Sequence, residues 1–303
     1  MILDGMQQYK LRWTVKNGGI RKTIKQFLKE EQVSRRALTN IKFQGGSIKV
    51  NGMERNVRYL LEDGDVLEVE FPEEVRNEQL LGENIPIDII FEDRDVLVIN
   101  KPPKMNTIPS REHPGGSLAN ALAYDYEQKG LSAAIHIVTR LDRNTSGLVL
   151  VAKHRHAHHL FGILQQKNEI GRSYEGFASG ILSKTSGIID APIGRKPSSI
   201  IEREVREDGK RAVTKYEVLR QFNAAAHVKM RLETGRTHQI RVHFSHIGHP
   251  LLGDELYGGP VNLIKRQALH CRELHFFHPF LKKEMYFQAP LPPDLNDILH
   301  MLD

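Results

Sequence analysis

Leu148-Val149-Leu150-Val151 is an apolar run set directly behind a charged and polar turn, and this junction constrains the fold more than any other feature of the chain. The run reads as a strand. Ahead of it, within Ile137 to Lys153, stand Arg140-Leu141-Asp142-Arg143 and then Asn144-Thr145-Ser146-Gly147. A carboxylate between two guanidiniums is thereby delivered to the mouth of a strand. From there it can point into a cleft, where flanking arginines would keep it ionised and gather an anionic substrate. A solvated salt bridge has the same composition, and most Arg/Asp clusters are of that kind. Residue types alone leave both readings open.

The 303 residues suggest about two domains, and 40% hydrophobic residues suffice for a sizeable core. No apolar run approaches the roughly 18 residues that span a bilayer, and no charged-then-apolar leader opens the chain, so a cytoplasmic protein is expected. The single cysteine, Cys271, excludes an internal disulfide and a multi-cysteine zinc site; a small buried hydrophobe is its expected role. A net charge of +6 points to a polyanionic partner.

That charge is unevenly spread. From Lys10 to Arg58 there are thirteen Lys/Arg against three acids, whereas Glu62 to Glu92 is mainly acidic. Within the basic block, Ile24, Phe27 and Leu28 fall at helical spacing, and Ser34 is placed to cap a second helix over Arg35 to Phe43. Ser47 to Val50 alternates into Asn51-Gly52, a tight-hairpin signal, and Val66 to Phe71 alternates again. Residues 1–72, with a core of about 18–72, are expected to form one module. The acidic stretch 73–86, flanked by prolines, is the expected linker, and 87–303 a second domain. Residues 1–9 read as a loosely held terminus.

In the second domain, Ile87 to Phe91 and Val96 to Asn100 read as strands ending at Lys101-Pro102-Pro103, and Ser117 to Gln128 as a core helix. His154 and His158 open another helix four residues apart, a spacing that can hold zinc, although solvated helix histidines are far commoner. Gly171 to Phe177 reads as a strand carrying Tyr174, usually a core or interface ring. In Leu232 to His249, Ile240, Val242 and Phe244 alternate with Arg241 and His243 as in a strand facing either RNA or a metal.

Several of these phrases together resemble the RluA/RluD-type pseudouridine synthases. Arg140-Leu141-Asp142 with Thr145-Ser146-Gly147 matches the RLDxxTSG signature, with Thr139 where the family usually has histidine. Asn100-Lys101-Pro102, the strand around Tyr174, Gly209 to Thr214, and Gly235-Arg236-Thr237-His238-Gln239-Ile240-Arg241 follow in the family's order, as does Gly253 to Gly258. The likeness covers about 88–303. It implies an α+β fold, with a long mixed, mainly antiparallel sheet and the cleft across it. It also implies isomerisation of uridine in RNA to pseudouridine, with no cofactor or metal. Asp142 takes the place of the catalytic aspartate, acting on sugar or base or abstracting a sugar proton. Arg241 is the arginine that orients it, and Tyr174 the tyrosine that handles the C5 proton. Arg140 holds the flipped-out state; Arg236, His238 and Lys101 are further candidate RNA contacts.

The basic block likewise resembles the small RNA-binding domain named after ribosomal protein S-four. Arg21, Lys22, Lys25, Arg35, Arg36 and Lys42 are its candidate RNA contacts, setting position and affinity more than sequence choice. Ribosomal RNA is the expected target, tRNA the second, and a monomer the expected state. Two other functions fit part of the pattern: a non-catalytic RNA-binding or ribosome-assembly factor, and a metal-dependent RNA hydrolase using the histidines.

Overall fold

The computed structural model describes residues 8–16, 21–131 and 133–302. Its N-terminal part is β1 (Lys10–Thr14), α1 (Ile24–Glu30), α2 (Arg35–Phe43), β2 (Ser47–Val50), β3 (Met53–Glu54) and β4 (Val66–Glu70). These strands form a sheet in the order β1-β4-β2-β3. Thr23 and Ser34 cap the two helices as their side chains require, each accepting a backbone N–H three residues on. Asn51 and Gly52 both have positive φ, 52° and 80°, the geometry of the tight hairpin their sequence specifies. Ile24, Leu28, Ile41, Leu67 and Val69 fill a separate small core.

Two expectations change here. The sheet takes in Lys10–Thr14, well ahead of residue 18 where the module's core was expected to begin. Tyr9, expected in a loose terminus, stacks on His154 with ring centroids 3.6 Å apart and lies under the Arg94 guanidinium. Residues 1–7 and 17–20 lie outside the described residues. The charges of the segment 73–86 are engaged by the larger domain. Glu74 bonds His136 at 2.5 Å and accepts the Arg155 backbone N–H at 2.6 Å, and Arg76 bonds Glu127 at 2.7 Å.

The larger part comprises β5 (Asp88–Glu92), β6 (Val96–Lys101), α3 (Leu118–Gln128), β7 (His136–Ile137), β8 (Ser146–Ala152), α4 (Arg155–Gln166), β9 (Ile170–Ser179), β10 (Ser186–Asp190), β11 (Ile193–Arg195), β12 (Arg203–Val205), β13 (Val213–Gln221), β14 (Ala225–Leu232), α5 (Gln239–His246), β15 (Leu269–His278), β16 (Lys283–Gln288) and α6 (Pro293–Leu302). Ten of its strands make one sheet, ordered β10-β13-β14-β9-β15-β8-β6-β5, with β16 on β15 and β7 on β8. Among the described residues only β8 and β15 pair in parallel within this sheet, so it is mixed and mainly antiparallel, as expected.

All seven residues of β8 are buried, which explains its bare apolar run: a strand covered on both faces has no polar alternation to show. Burial of Leu148, Val149, Leu150 and Val151 stabilises the fold by about 1.5–3 kcal/mol each. Gly147, the second residue of this strand, has φ +112°, and a Cβ there would lie 2.3 Å from the Cys271 carbonyl oxygen. Only glycine admits that close parallel pairing with β15.

Residues 239–246 are a helix, not the strand their alternation suggested. Gln239 to Phe244 are all buried, so no polar face marks the helical period, and over eight residues a fully buried helix and a strand look alike. No helix among the described residues is long and apolar enough to cross a membrane.

Candidate active site

The loop before β8 is held from several sides. Thr107 Oγ1 donates to the Leu141 carbonyl at 2.8 Å and accepts the Leu141 N–H at 3.1 Å. Arg266 reaches the Asn144 carbonyl at 3.0 Å while bonding Asp294 of α6 at 2.6 and 2.8 Å. Lys101, proposed from sequence as an RNA contact, is wholly buried. Its ammonium donates to the carbonyls of Pro102, Met105 and Arg143, so its three hydrogens each have an acceptor and none is left for phosphate. Burial pushes its pKa down to about 7, with Asp142 opposing that shift. Thr139 is buried too, and its hydroxyl accepts the Leu150 N–H at 2.9 Å, so it braces the strand behind the loop.

Pinned in this way, Asp142 lies 27% exposed in a cleft of about 420 Å³. The flanking arginines do not pair with it; Arg140 and Arg143 are both exposed. Its partner is Arg241, from α5, whose Nη1 donates to Asp142 Oδ2 at 3.3 Å. Arg241 is more firmly bound to a residue that sequence reasoning had not singled out. Nε and Nη2 donate to the two oxygens of Asp254 at 2.7 Å each, and the guanidinium lies 4.9 Å from the Tyr257 ring. Burial works against the charge, but the hydrogen bonds and charge of Asp254, with Asp142 behind them, raise the Arg241 pKa on balance. Asp254 thus holds the arginine, and the arginine aims at Asp142.

His238 caps α5 in a left-handed conformation, φ 58°, without bonding the helix through its side chain. Such backbone costs of order 1 kcal/mol for a non-glycine residue and clusters at functional sites. Its Nε2 lies 3.8 Å from Asp142 Oδ2, and its Nδ1 is 2.8 Å from the Tyr257 hydroxyl, which accepts the Arg203 N–H. Burial lowers the His238 pKa, so the ring is neutral at neutral pH, although Asp142 pulls the other way. Those partners assign the tautomer: Tyr257 donates to Nδ1, and the Nε2 proton faces Asp142.

Tyr174 of β9 is 4% exposed and lines the same cleft. Burial raises its pKa, the nearby Arg172 guanidinium opposes that rise, and the Cys271 thiol is its hydrogen-bond partner. Arg172 stands two residues away on the same strand face, in the cleft wall. The Arg-Ser-Tyr spacing was the sequence signal for Arg172, and it went unused. Arg140 and Arg236 complete the basic lining, and among the described residues no carboxylate pairs with any of these three arginines. Cys271 is fully buried, as expected.

The other proposed contacts are spread over the N-terminal module. Arg21, Lys25, Arg35, Arg36 and Lys42 are exposed, Lys42 over the Phe43 ring, while Lys22 is half-buried and bonds Glu30 at 2.6 Å. The helix histidines do not converge on a metal. His154 turns to Asp95 and Tyr9, and His158 stacks on His136. Asp93, Asp95 and His278 do lie close enough to hold an ion. However, His278 Nδ1 accepts the N–H groups of Phe280 and Leu281, which leaves the ring proton on Nε2, the atom a metal would need bare.

Residues 95–246 match the RNA pseudouridylate synthase family. The chain is 50% identical over 277 residues to YjbO of Bacillus subtilis (strain 168), named as an uncharacterized RNA pseudouridine synthase, covering 91% of this chain and 98% of that protein. It is 39% identical over 273 residues to ribosomal large subunit pseudouridine synthase D of Haemophilus ducreyi, covering 84% of this chain and 82% of the relative. Human RNA pseudouridylate synthase domain containing 1 has a similar structure, with a TM-score of 0.58 over 73% of this chain and 96% of that one, at 23% identity. That likeness speaks to the fold.

Proposed function

Because this chain belongs to the RNA pseudouridylate synthase family, we propose that it isomerises uridine in ribosomal RNA, with Asp142 as the group on which catalysis depends. One observation carries the assignment. Asp142 is the carboxylate in the cleft, aimed by a buried arginine that is itself fixed by Asp254, amid guanidiniums that no carboxylate among the described residues neutralises.

The reaction breaks the N1–C1′ bond of uridine, forms C5–C1′, and moves a proton from C5 to N1, so it balances without oxidant or reductant. Asp142, aimed by the Arg241 hydrogen bond, acts at the glycosidic centre. Tyr174 relays the C5 proton, and the charge of Arg172 offsets the cost of forming a buried phenolate beside it. Arg140, Arg172 and Arg236 bind the backbone of the flipped-out nucleotide, whose unstacking costs a few kcal/mol and favours irregular RNA. His238 steadies Asp142 rather than contacting RNA directly. Residues 10–71 act as an S-four-type RNA-binding domain, through Arg21, Lys25, Arg35, Arg36 and Lys42. Ribosomal RNA is favoured over tRNA because relatives named as synthase D are ribosomal enzymes by name.

The test is tritium release from RNA labelled at uridine C5, with wild type beside Asp142→Asn, each with and without chelator. Release by wild type alone, unaffected by chelator, is expected on ribosomal RNA. No release from ribosomal RNA, tRNA or pre-ribosomal particles, with RNA binding kept by both proteins, would overturn the reading in favour of an assembly factor.

A further inference from the structure

α4 contains a glycine that the chain itself does not explain. Gly162 lies in the interior of the helix, where glycine is disfavoured relative to alanine. A Cβ at this position would meet no atom within 4 Å, so no neighbour demands the small residue. What a missing side chain offers on an open helix face is close approach by another backbone.

The two ends of α4 show which backbone that is. At its start, Arg155, His156 and His159 share a pocket with Ser34, Ala37 and Asn40 of the N-terminal module. At its end, Gln165 lines the cleft that holds Asp142. Ten residues of helix separate Arg155 from Gln165, about 15 Å at 1.5 Å per residue. Between Lys153 and Asn168 there is no acidic residue, while Lys153, Arg155, Lys167 and four histidines lie in that stretch. The nearby carboxylates sit at the helix ends: Glu74 at the Arg155 N–H and in the pocket beside it, Glu92 on the Lys153 ammonium at 2.8 Å, Asp95 at His154, and Glu169 beyond the last turn.

We propose that α4 is the track on which the RNA strand crosses from the N-terminal module to the cleft, with its sugar–phosphate backbone lying against the helix at Gly162. This rests on the synthase reading above, which makes RNA the occupant of the cleft. A helix with no acid of its own, with Arg155 and Lys167 exposed and its last turn at the cleft, suits a polyanion, and the bare position lets the strand lie closer to the helix axis than any side chain would permit.

Cys271, the sole cysteine, is fully buried, so Gly162→Cys has a single accessible thiol. Loaded with an iron–EDTA reagent and bound to a full-length large-subunit ribosomal RNA transcript, it should cut the RNA at discrete positions near the isomerised uridine. Identically treated wild type should not. Gly162→Gln should raise KM for that transcript about tenfold at unchanged kcat, while Gly162→Ala should raise Tm. The proposal is overturned if the tethered protein cuts no more than wild type and Gly162→Gln keeps the wild-type KM. It is also overturned if Gly162→Ala lowers Tm, since the glycine would then serve folding. Absence of tritium release from the unmodified protein would count against the synthase reading instead, and the cleavage still reports contact with RNA.

Discussion

Replacing Asp254 tests how Asp142 is held. Arg241 gives Asp254 two hydrogen bonds of 2.7 Å and gives Asp142 one of 3.3 Å. The side chains of Arg241 and Asp254 are 7% and 1% exposed, so this is a buried pair. Removing one partner of such a pair costs roughly 3–5 kcal/mol, because the other charge stays buried and uncompensated. At about 2–4 °C per kcal/mol for a chain somewhat smaller than this one, Asp254→Ala should lower Tm by about 6–20 °C. Asp254→Asn keeps the shape and should cost less. In both variants the released guanidinium turns toward Asp142, and kcat should fall on the order of 10- to 100-fold, about 1.4–2.7 kcal/mol of barrier. Arg241→Met with Asp254→Leu separates the two effects: an apolar pair should recover most of the stability and none of the activity. Thermal melts and tritium-release kinetics read both quantities. Wild-type Tm and kcat in Asp254→Asn, or an active double variant, would refute the reasoning.

Acid should loosen the contact between the module and the larger domain. Burial pushes the His156 pKa down to about 3, against about 6.5 when unfolded, so below pH 6.5 the unfolded chain takes up the proton first. The unfolding free energy from urea melts should therefore fall from pH 6.5 toward 3, by up to about 1.4 kcal/mol per pH unit from this residue, and His156→Phe should flatten the dependence; an unchanged slope in that variant would count against it. Lys101→Met should lower Tm and kcat while leaving the salt dependence of KM intact, whereas a shallower dependence would mean that Lys101 meets phosphate after all. Arg172→Gln should reduce the slope of log KM against log salt by about 0.7–0.9, one phosphate contact, and depress kcat across the pH profile; a slope equal to wild type would remove it from the RNA-binding set.

How legible the site was depended on the kind of signal each residue carries. Asp142, Tyr174 and Arg241 stand in distinctive phrases, and the fold brings Asp142 and Arg241, 99 residues apart, into contact. Lys101 reads from sequence as either a structural or a phosphate-facing cation, because a lysine that ends a strand looks the same whether it faces solvent or three carbonyls. Asp254 was passed over because its phrase is turn-like and its worth lies in an arginine elsewhere. Tyr9 was assigned to a loose terminus because its partners, His154 and Asp95, lie far along the chain.

Many of the local elements and much of the family likeness are legible in the residues alone. Caps at Thr23 and Ser34, the Asn51-Gly52 hairpin and the apolar run of β8 each arise from neighbours in the chain, where steric and hydrogen-bonding rules act within a few residues. Tertiary structure decided that 239–246 is a helix, that Arg241 answers to Asp254 before Asp142, and that Lys101 is buried. Those outcomes depend on burial on all sides and on partners distant in sequence, and periodicity, which reports a boundary between core and water, has nothing to register where a segment meets no water.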